Sequence, residues 1–239
     1  MVLAHSLKPV AMPHSQSQSE SPSEDTFVRS PELVVLTGDL VSSSKLSPEA
    51  VAEAIRALEG AAWEAAARGT GPARFTRFRG DGWQCLGPSP KFALRTALLL
   101  RARLSALGRA YDTRISIGIG AGALDRSDAL DGAAGPALEI SGRGLDRLPH
   151  GQRFAIGWES PPPGAALIRA IFALADEISR NWTPAQARVL GAALSPLQRP
   201  NQEALARDLD IAQQAVAKHL ASGGDWALRE ALDALEGAA

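Results

Sequence analysis

The arrangement of apolar and polar residues divides the first two thirds of the chain into strands and helices. An unbroken run of apolar and β-branched residues at 33–40 predicts a strand that is buried on both faces. Apolar residues at helical spacing over 48–68 predict an amphipathic helix with Pro48 in its first turn. The stretch 73–87 predicts a β-hairpin that turns at Gly80-Asp81-Gly82.

A second helix at 90–107 and a strand at 113–120 complete the order β-α-β-β-α-β. This order is typical of the split ferredoxin-like arrangement, in which an antiparallel sheet carries its helices on one face. A short helix at about 136–147 and a strand at about 153–158 follow. We therefore expect an α+β domain over residues 31–160.

The rest of the chain shows helical periodicity only. A proline-rich break at 160–164 marks a domain boundary. Residues 161–182 predict a connecting helix whose apolar face is wide enough to join domains or to form a dimer. Residues 183–239 predict an all-α helix-turn-helix domain, in which Asp210 lies at the turn. At the other end of the chain, the polar, low-complexity tail at 1–30 predicts disorder.

Composition limits which partners the protein can bind and which cellular compartment it fits. The net charge is −1, and residues 183–239 hold five Lys or Arg against seven Asp or Glu, so DNA contacts would be local and weak for a monomer. The single cysteine, Cys85, excludes an internal disulfide and fits a reducing compartment. No apolar run has the length of a membrane span, and the N-terminus lacks a secretory pattern. We therefore expect a cytoplasmic protein that does not contact membranes.

Two carboxylates are the first candidates for chemistry. Asp39 ends the strand at 33–40 and Asp81 lies at the hairpin turn, so they converge if the two strands are neighbours. A divalent cation between them would keep both ionised, and Mg²⁺ prefers one or two carboxylates plus phosphate oxygens. The loop with Ser42, Ser43 and Ser44 would offer N–H groups to a phosphate chain. The alternative is structural, because Asp is common at strand ends and in tight turns.

The helix-turn-helix segment supplies the second set of candidates. Its second helix places Gln213, Gln214, Lys218 and His219 on the outward face. Such a helix enters the major groove of DNA, where glutamine pairs with adenine and lysine meets guanine or phosphate. We therefore predict DNA as a partner. The alternative is a helix-turn-helix that makes only protein contacts.

Three segments of the first domain resemble a known family. The segments TGDLVSSS at 37–44, RGDGWQ at 79–84 and RISIGIG at 114–120 resemble the SatD family. They are more distantly similar to the class III nucleotidyl cyclase and GGDEF catalytic domains. The resemblance covers about residues 33–158, and the SatD-like pattern also carries a C-terminal winged helix-turn-helix. It implies a cyclase-like or palm-type domain joined to a DNA-binding domain.

The cyclase resemblance also implies how a nucleotide and metal would bind. Asp39 and Asp81, with the carbonyl of Leu40, would hold Mg²⁺ or Mn²⁺ beside a nucleoside triphosphate. Arg77 matches the position of the lysine that reads the base in cyclases.

A later segment bears on turnover and on assembly. Arg143 matches the transition-state arginine of the cyclases, but Glu139 stands where they have an asparagine. A carboxylate at that position would repel a ribose-triphosphate, which argues against turnover. Because cyclase active sites lie between two subunits, the resemblance also implies a homodimer.

Two functions from different classes follow from these signals. The first is a DNA-binding transcriptional regulator whose cyclase-like domain binds a nucleotide and controls the helix-turn-helix. The second is an active cyclase that makes a cyclic nucleotide from a nucleoside triphosphate. A structural module with a degenerate site is the third interpretation.

Overall fold

The structure of the protein is a computed structural model that describes residues 28–69, 73–78, 80–125, 129–196 and 200–237. Residues 1–27 of the predicted tail lie outside the described residues. So does Arg79 of the hairpin motif.

Five strands in the described residues form one mixed sheet, in the order β2-β3-β1-β4-β5. They are β1 (Val28–Leu40), β2 (Phe75–Phe78), β3 (Gly82–Leu86), β4 (Thr113–Leu124) and β5 (Phe154–Trp158). Neighbouring strands are antiparallel, except that β4 and β5 are parallel. The central strand β1 starts at Val28, so residues 28–30, which were assigned to the tail, belong to the sheet.

Helices cover both faces of the sheet. α1 (Pro48–Ala66) and α2 (Ala93–Ser105) pack on one face, over alternate β1 residues that include Val34 and Leu36. α3 (Pro136–Asp146) packs on the other face, over Leu33 and Val35. The two helices of the β-α-β-β-α-β unit, α1 and α2, were expected on one face and share it, whereas α3, which follows that unit, covers the other face. The physical reason is that successive β1 residues are apolar, so both faces of the strand need cover.

The close approach of α3 to the sheet depends on small and hydroxyl residues. A Cβ atom on Gly118 of β4 would lie 2.1 Å from the carbonyl oxygen of Ala137, so only glycine fits there. Below this contact, the hydroxyls of Thr37 and Ser141 are 2.7 Å apart, and both side chains are buried. Gln84 donates its amide to the Thr37 hydroxyl at 2.9 Å, which ties β3 to the same polar contact.

The C-terminal part of the described chain is helical. It contains α4 (Ala165–Arg180), α5 (Pro184–Ala193), α6 (Gln202–Leu209), α7 (Gln213–Ser222) and α8 (Asp225–Gly237). Between residues 183 and 237 the described residues form no strand that could serve as a wing. The chain is therefore of the α+β class, with a five-stranded mixed sheet and eight α-helices in its described residues. None of these helices is long and apolar enough to cross a membrane.

The C-terminal helices share a core with the sheet domain. α5 packs along α2, and one continuous cluster of buried apolar residues extends from β1 through α2 to Leu190, Val216 and Leu228. At the far end of this contact, Arg95 of α2 forms a two-point ion pair with Glu236 of α8, and both side chains are 10% exposed. The C-terminal helices are therefore packed against the sheet domain and are not held by a flexible tether.

A buried ion pair fixes α4 against α2 and β5. The guanidinium of Arg101 lies 3.4 Å from the Asp176 carboxylate and 4.3 Å from the centre of the Phe154 ring. Asp176 also accepts the backbone N–H of Arg153 at 2.7 Å, at the start of β5. Burial lowers the pKa of Arg101 to about 10, and the carboxylates of Asp112 and Asp176 oppose that shift.

Candidate functional site

Asp39 and Asp81 lie at the same end of the sheet. Asp39 is the penultimate residue of β1, and its Cα is paired with that of Gly82 on β3 and that of Arg114 on β4. Asp81 immediately precedes Gly82 in the hairpin between β2 and β3. The strand register thus brings the two carboxylate-bearing residues to neighbouring strand ends, which we call the Asp39 end of the sheet.

Each carboxylate has a partner from the protein. Arg114 forms a two-point ion pair with Asp39, in which Nε and Oδ1 are 2.8 Å apart. The hydroxyl of Ser43 donates a hydrogen bond to Oδ2 of Asp81. The side chains of Asp39 and Arg114 are 24% and 36% exposed, so solvent and ligands can reach this ion pair.

Arg114 is the residue of this site that sequence reasoning missed. The hydrogen bonds that Arg114 donates to Asp39 are the main cause that raises the pKa of Arg114, while partial burial opposes it; the nearby charges of Asp146 and Asp81 raise it further. One guanidinium therefore lies within electrostatic range of three carboxylates. The sequence showed only that Arg114 lies near the start of the strand predicted at 113–120. That Arg114 lies opposite Asp39 becomes known only from the pairing of β1 with β4.

The serine loop after β1 has a defined backbone. Ser42 adopts a left-handed conformation (φ 55°), and Ser43–Lys45 form a single 3₁₀ turn before α1. The side chain of Ser47 caps α1 by accepting the N–H of Ala50 at 3.2 Å. Because Ser47 already satisfies a donor at the helix start, a phosphate would meet the loop backbone rather than the whole N-terminus of α1.

A cavity of about 240 Å³ lies at the Asp39 end of the sheet. Asp39, Leu40 and Ser42 line it on one side, and Arg114 and Arg153 line it on the other. The loop between α3 and β5 contributes the remaining wall, at residues 149–151. This lining combines one carboxylate with two guanidinium groups, of which Arg114 is paired with Asp39 and Arg153 with Asp112 at 2.6 Å. An anion such as a phosphate group would compete with these carboxylates for the guanidinium groups.

Arg77 and Arg143 do not join this cavity. Arg77 is exposed and donates from Nε to the carbonyl of Gly80 at 2.7 Å, which stabilises the hairpin turn. Arg143 forms an exposed ion pair with Glu139 one turn earlier on α3, at 3.0 Å. Within one chain, the structure therefore brings Asp39, Leu40 and Ser42 together with Arg114, which was not predicted. The two predicted arginines, Arg77 and Arg143, lie apart from this cavity.

The donor set at the Asp39 end fits a divalent cation in its chemistry. Two carboxylates and the Leu40 carbonyl are hard oxygen donors of the kind that Mg²⁺ and Mn²⁺ take. Both oxygens of Asp39 are held by Arg114, so a cation would have to displace the guanidinium from at least one of them. Among the described residues, no group of three or more Asp, Glu, His or Cys side chains is arranged as a metal site.

α6 and α7 are joined by a tight turn at Asp210. Asp210 ends α6 in the left-handed conformation that the turn requires (φ 52°, ψ 52°). The N–H of Ile211 then bonds to the carbonyl of Ala206 at 3.0 Å, and α7 starts two residues later. Val216 and Leu220 are buried against the rest of the bundle, so they fix which side of α7 faces outward.

The predicted DNA-contacting residues differ in exposure. Gln213, Gln214 and Lys218 are exposed on α7, whereas His219 is half-buried. His219 lines a cavity of about 340 Å³ with Arg188 of α5. Three of the four predicted residues therefore point away from the core, and His219 lies at the margin of that face.

No protein-family model matches the chain, and no curated protein matches it.

Charges around α7 are mixed. Lys218 lies on the exposed face of α7, and Arg207 of α6 is exposed, with its guanidinium 4.0 Å from the Asp208 carboxylate. Asp210 is also exposed at the turn. Because acidic groups border the outward face, its attraction for phosphate is weak. Two copies of α7 acting together would compensate for this weakness.

Proposed function

We propose that the chain is a cytoplasmic DNA-binding transcriptional regulator that responds to a nucleotide. The observation that carries this proposal is the outward face of α7, where Gln213, Gln214 and Lys218 are exposed immediately after a left-handed turn. Exposed glutamines at the start of a second helix are the groups that read adenine in the major groove. We assign residues 183–239 to this helix-turn-helix role; the described residues of this range form no strand that could serve as a wing.

The sheet domain is proposed to be the nucleotide-binding part, with a ferredoxin-like cyclase or palm-type fold over residues 31–160. The strand order β2-β3-β1-β4 and the packing of α1 and α2 on one face support this assignment. Asp39, Ser42 and Arg114 around one cavity supply groups for both a cation and a phosphate. In this proposal Ser43 and Ser44 face the phosphate chain, and Arg77 approaches the base.

A metal ion fits this proposal as a companion of the nucleotide. Asp39, Asp81 and the Leu40 carbonyl would hold Mg²⁺ or Mn²⁺. Such an ion, when bound, would neutralise and polarise the phosphate groups. The protein's own contribution is to position Arg114, which can turn from the Asp39 carboxylate toward a phosphate oxygen.

The size of the cavity supports a dimer. A volume of about 240 Å³ is below the range of typical small-molecule pockets and suits a phosphate group better than a whole nucleotide. In a homodimer, a second subunit would extend the cavity. α4 offers one surface for such contact, since Leu167 and Leu174 are 67% and 66% exposed on it.

The route from nucleotide to DNA runs through packed elements. The buried cluster joins β1 to α2, and α2 packs along α5, which in turn contacts α7. A nucleotide that binds two arrangements of this core with different affinity would shift the position of α7.

Selection of DNA sites by the purified chain, followed by fluorescence anisotropy, tests this function. We expect sequence-selective binding that changes with nucleotide plus Mg²⁺. Gln213→Ala with Gln214→Ala should remove about 1–3 kcal/mol of discrimination for the selected site. Lys218→Ala should weaken binding to all DNA sequences by a similar factor. Gln202→Ala, at an exposed position at the start of α6, is the matched control. Absence of selective binding with and without nucleotide would overturn the proposal.

An active nucleotidyl cyclase is the second candidate. The neighbouring positions of Asp39 and Asp81 favour it, because two carboxylates at one sheet end are what a two-metal site needs. The ion pair between Arg143 and Glu139 speaks against it, since that arginine is already engaged by a carboxylate. Incubation with each nucleoside triphosphate and Mn²⁺ decides between the two, because only a cyclase releases pyrophosphate. Asp39→Asn is the inactive control.

A further inference from the structure

Another cavity lies away from the Asp39 end of the sheet, between α3, β5 and α4. Its volume is about 570 Å³, which is within the range of small-ligand sites. Its floor is apolar and includes Leu148, Phe154 and Phe172. Arg147 and Arg169 lie on its lining with polar neighbours from α4. A water-accessible cavity with an apolar floor and cationic groups suits a molecule that has both an apolar body and a negative charge.

Two of the lining arginines are available to a ligand. The guanidinium of Arg180 is engaged by Glu177 and by the carbonyl of Gly151. The guanidinium of Arg169 lies 5.2 Å from the centre of the Trp158 ring, a contact that leaves its N–H groups open. Arg147 forms no hydrogen bond or ion pair through its side chain with any residue in the part of the chain that the structure describes. The cavity therefore carries two cationic groups that no carboxylate neutralises.

The carboxylate of Asp176 is a fixed part of the cavity wall. Asp176 lines the cavity and is 5% exposed. Its Oδ2 accepts the N–H groups of Arg153 and Phe154, at 2.7 and 3.3 Å. Its Oδ1 is fully buried and lies 3.4 Å from the Arg101 guanidinium, with which it forms an ion pair. Because both oxygens face the protein, Asp176 holds the wall in place, and Arg147 and Arg169 are the charged groups left open to a ligand.

We propose that this cavity binds a small amphipathic organic acid. The apolar body would cover Leu148 and Phe172, and the acidic group would contact Arg147 and Arg169. This inference goes beyond the nucleotide and DNA functions and depends on neither.

The position of the cavity indicates what such a ligand would control. Pro149 lines this cavity and also the smaller cavity at the Asp39 end. On its other side, the cavity is bounded by α4, which leads directly into α5. A bound acid would therefore contact both the nucleotide-binding end of the sheet and the helix that precedes the helix-turn-helix.

Calorimetric titration with 4-phenylbutyrate, and with the neutral 4-phenylbutanol as the matched probe, tests this site. We expect saturable binding of the acid with one site per chain, and affinity for the alcohol at least about tenfold lower. The double variant Arg147→Gln with Arg169→Gln should lose about tenfold in affinity for the acid and none for the alcohol. Arg207→Gln, an exposed arginine on α6, is the control and should bind the acid like the unchanged protein.

A blocking variant locates the binding. Ala173→Trp places a large side chain at an exposed position of the cavity lining and should abolish binding of both probes. Circular dichroism melting of each variant establishes that it is folded. The proposal is overturned if phenylbutyrate does not bind, or if it binds Ala173→Trp or the double arginine variant as well as it binds the unchanged protein.

Discussion

Replacing Arg114 by methionine tests the proposal that the Asp39 carboxylate can bind a cation. In the structure, both oxygens of Asp39 are held by Arg114. Methionine keeps much of the apolar stem but removes the charge, so Asp39 becomes free to bind a cation. We therefore expect Arg114→Met to bind Mn²⁺ more tightly than the unchanged protein.

The magnitude follows from charge and exposure. A guanidinium about 5 Å from a divalent cation repels it by about 2 kcal/mol in a nearly aqueous environment, which suits groups that are 24% and 36% exposed. This energy corresponds to roughly 30-fold in the dissociation constant. The free energy of unfolding should change by less than about 1 kcal/mol, because the lost ion pair is partly exposed.

Electron paramagnetic resonance of free Mn²⁺ measures the affinity directly. Arg143→Met is the matched control, because that arginine belongs to an exposed ion pair with Glu139. When a non-hydrolysable nucleoside triphosphate is added, we expect the unchanged protein to bind Mn²⁺ more tightly than Arg114→Met. In that case Arg114 would contact phosphate, and its loss would weaken the complex of protein, Mn²⁺ and nucleotide. Equal Mn²⁺ affinity in Arg114→Met and the unchanged protein, or an equal gain in Arg143→Met, would refute the reasoning.

Three further predictions concern buried groups. Asp176→Ala leaves the Arg101 guanidinium buried without its carboxylate and should cost about 3–5 kcal/mol in urea unfolding; a loss below 1 kcal/mol would contradict this. Burial raises the pKa of Cys85 to about 12, so iodoacetamide at pH 9 should alkylate the native protein at least about 100-fold more slowly than the unfolded chain. Because the unfolded thiol ionises first, this group also lowers stability as pH rises from about 9 to 12. Glu236→Gln removes the charge partner of Arg95 and should cost about 1–3 kcal/mol, with faster amide exchange in α8; unchanged exchange there would count against the contact.

Local periodicity predicted most elements of the sheet domain. The helix expected at 48–68 is observed at Pro48–Ala66. The strand expected at 113–120 starts at Thr113 as predicted and continues past residue 120 to Leu124. The convergence of Asp39 and Asp81 was also predictable, because a buried strand and the next hairpin tend to be neighbours. The early start of β1, at Val28, could not be predicted from the sequence. Pro31 cannot donate to the ladder, and a register shift between Ser30 and Leu33 accommodates it.

The side of the sheet that α3 covers could not be read from its own sequence. An amphipathic helix shows that it has an apolar face and does not show which surface receives it. The clue lay in the partners: Leu33 and Val35 are apolar as well as Val34 and Leu36, and Gly118 leaves room for the α3 backbone. A strand with two apolar faces requires two covering layers.

Arg114 illustrates why site chemistry is harder to predict than site position. Sequence identifies carboxylates at strand ends, but their charge partners come from whichever residue lies opposite in the sheet. The pairing of Asp39 with Arg114 depends on the β1–β4 register, which places them side by side. The same holds for Arg143, which the resemblance matched to a transition-state arginine and which the structure places in an ion pair with Glu139 on its own helix.

The shared core between the sheet and α5–α8 limits how this protein can be cut or recombined. A fragment that starts at residue 183 would expose Leu190, Val189 and other side chains that α2 now covers, and it would lose the Arg95 contact of α8. Such a fragment should be unstable and prone to aggregate when expressed alone. Grafting these helices onto another domain would fail for the same reason, unless α2 is transferred with them.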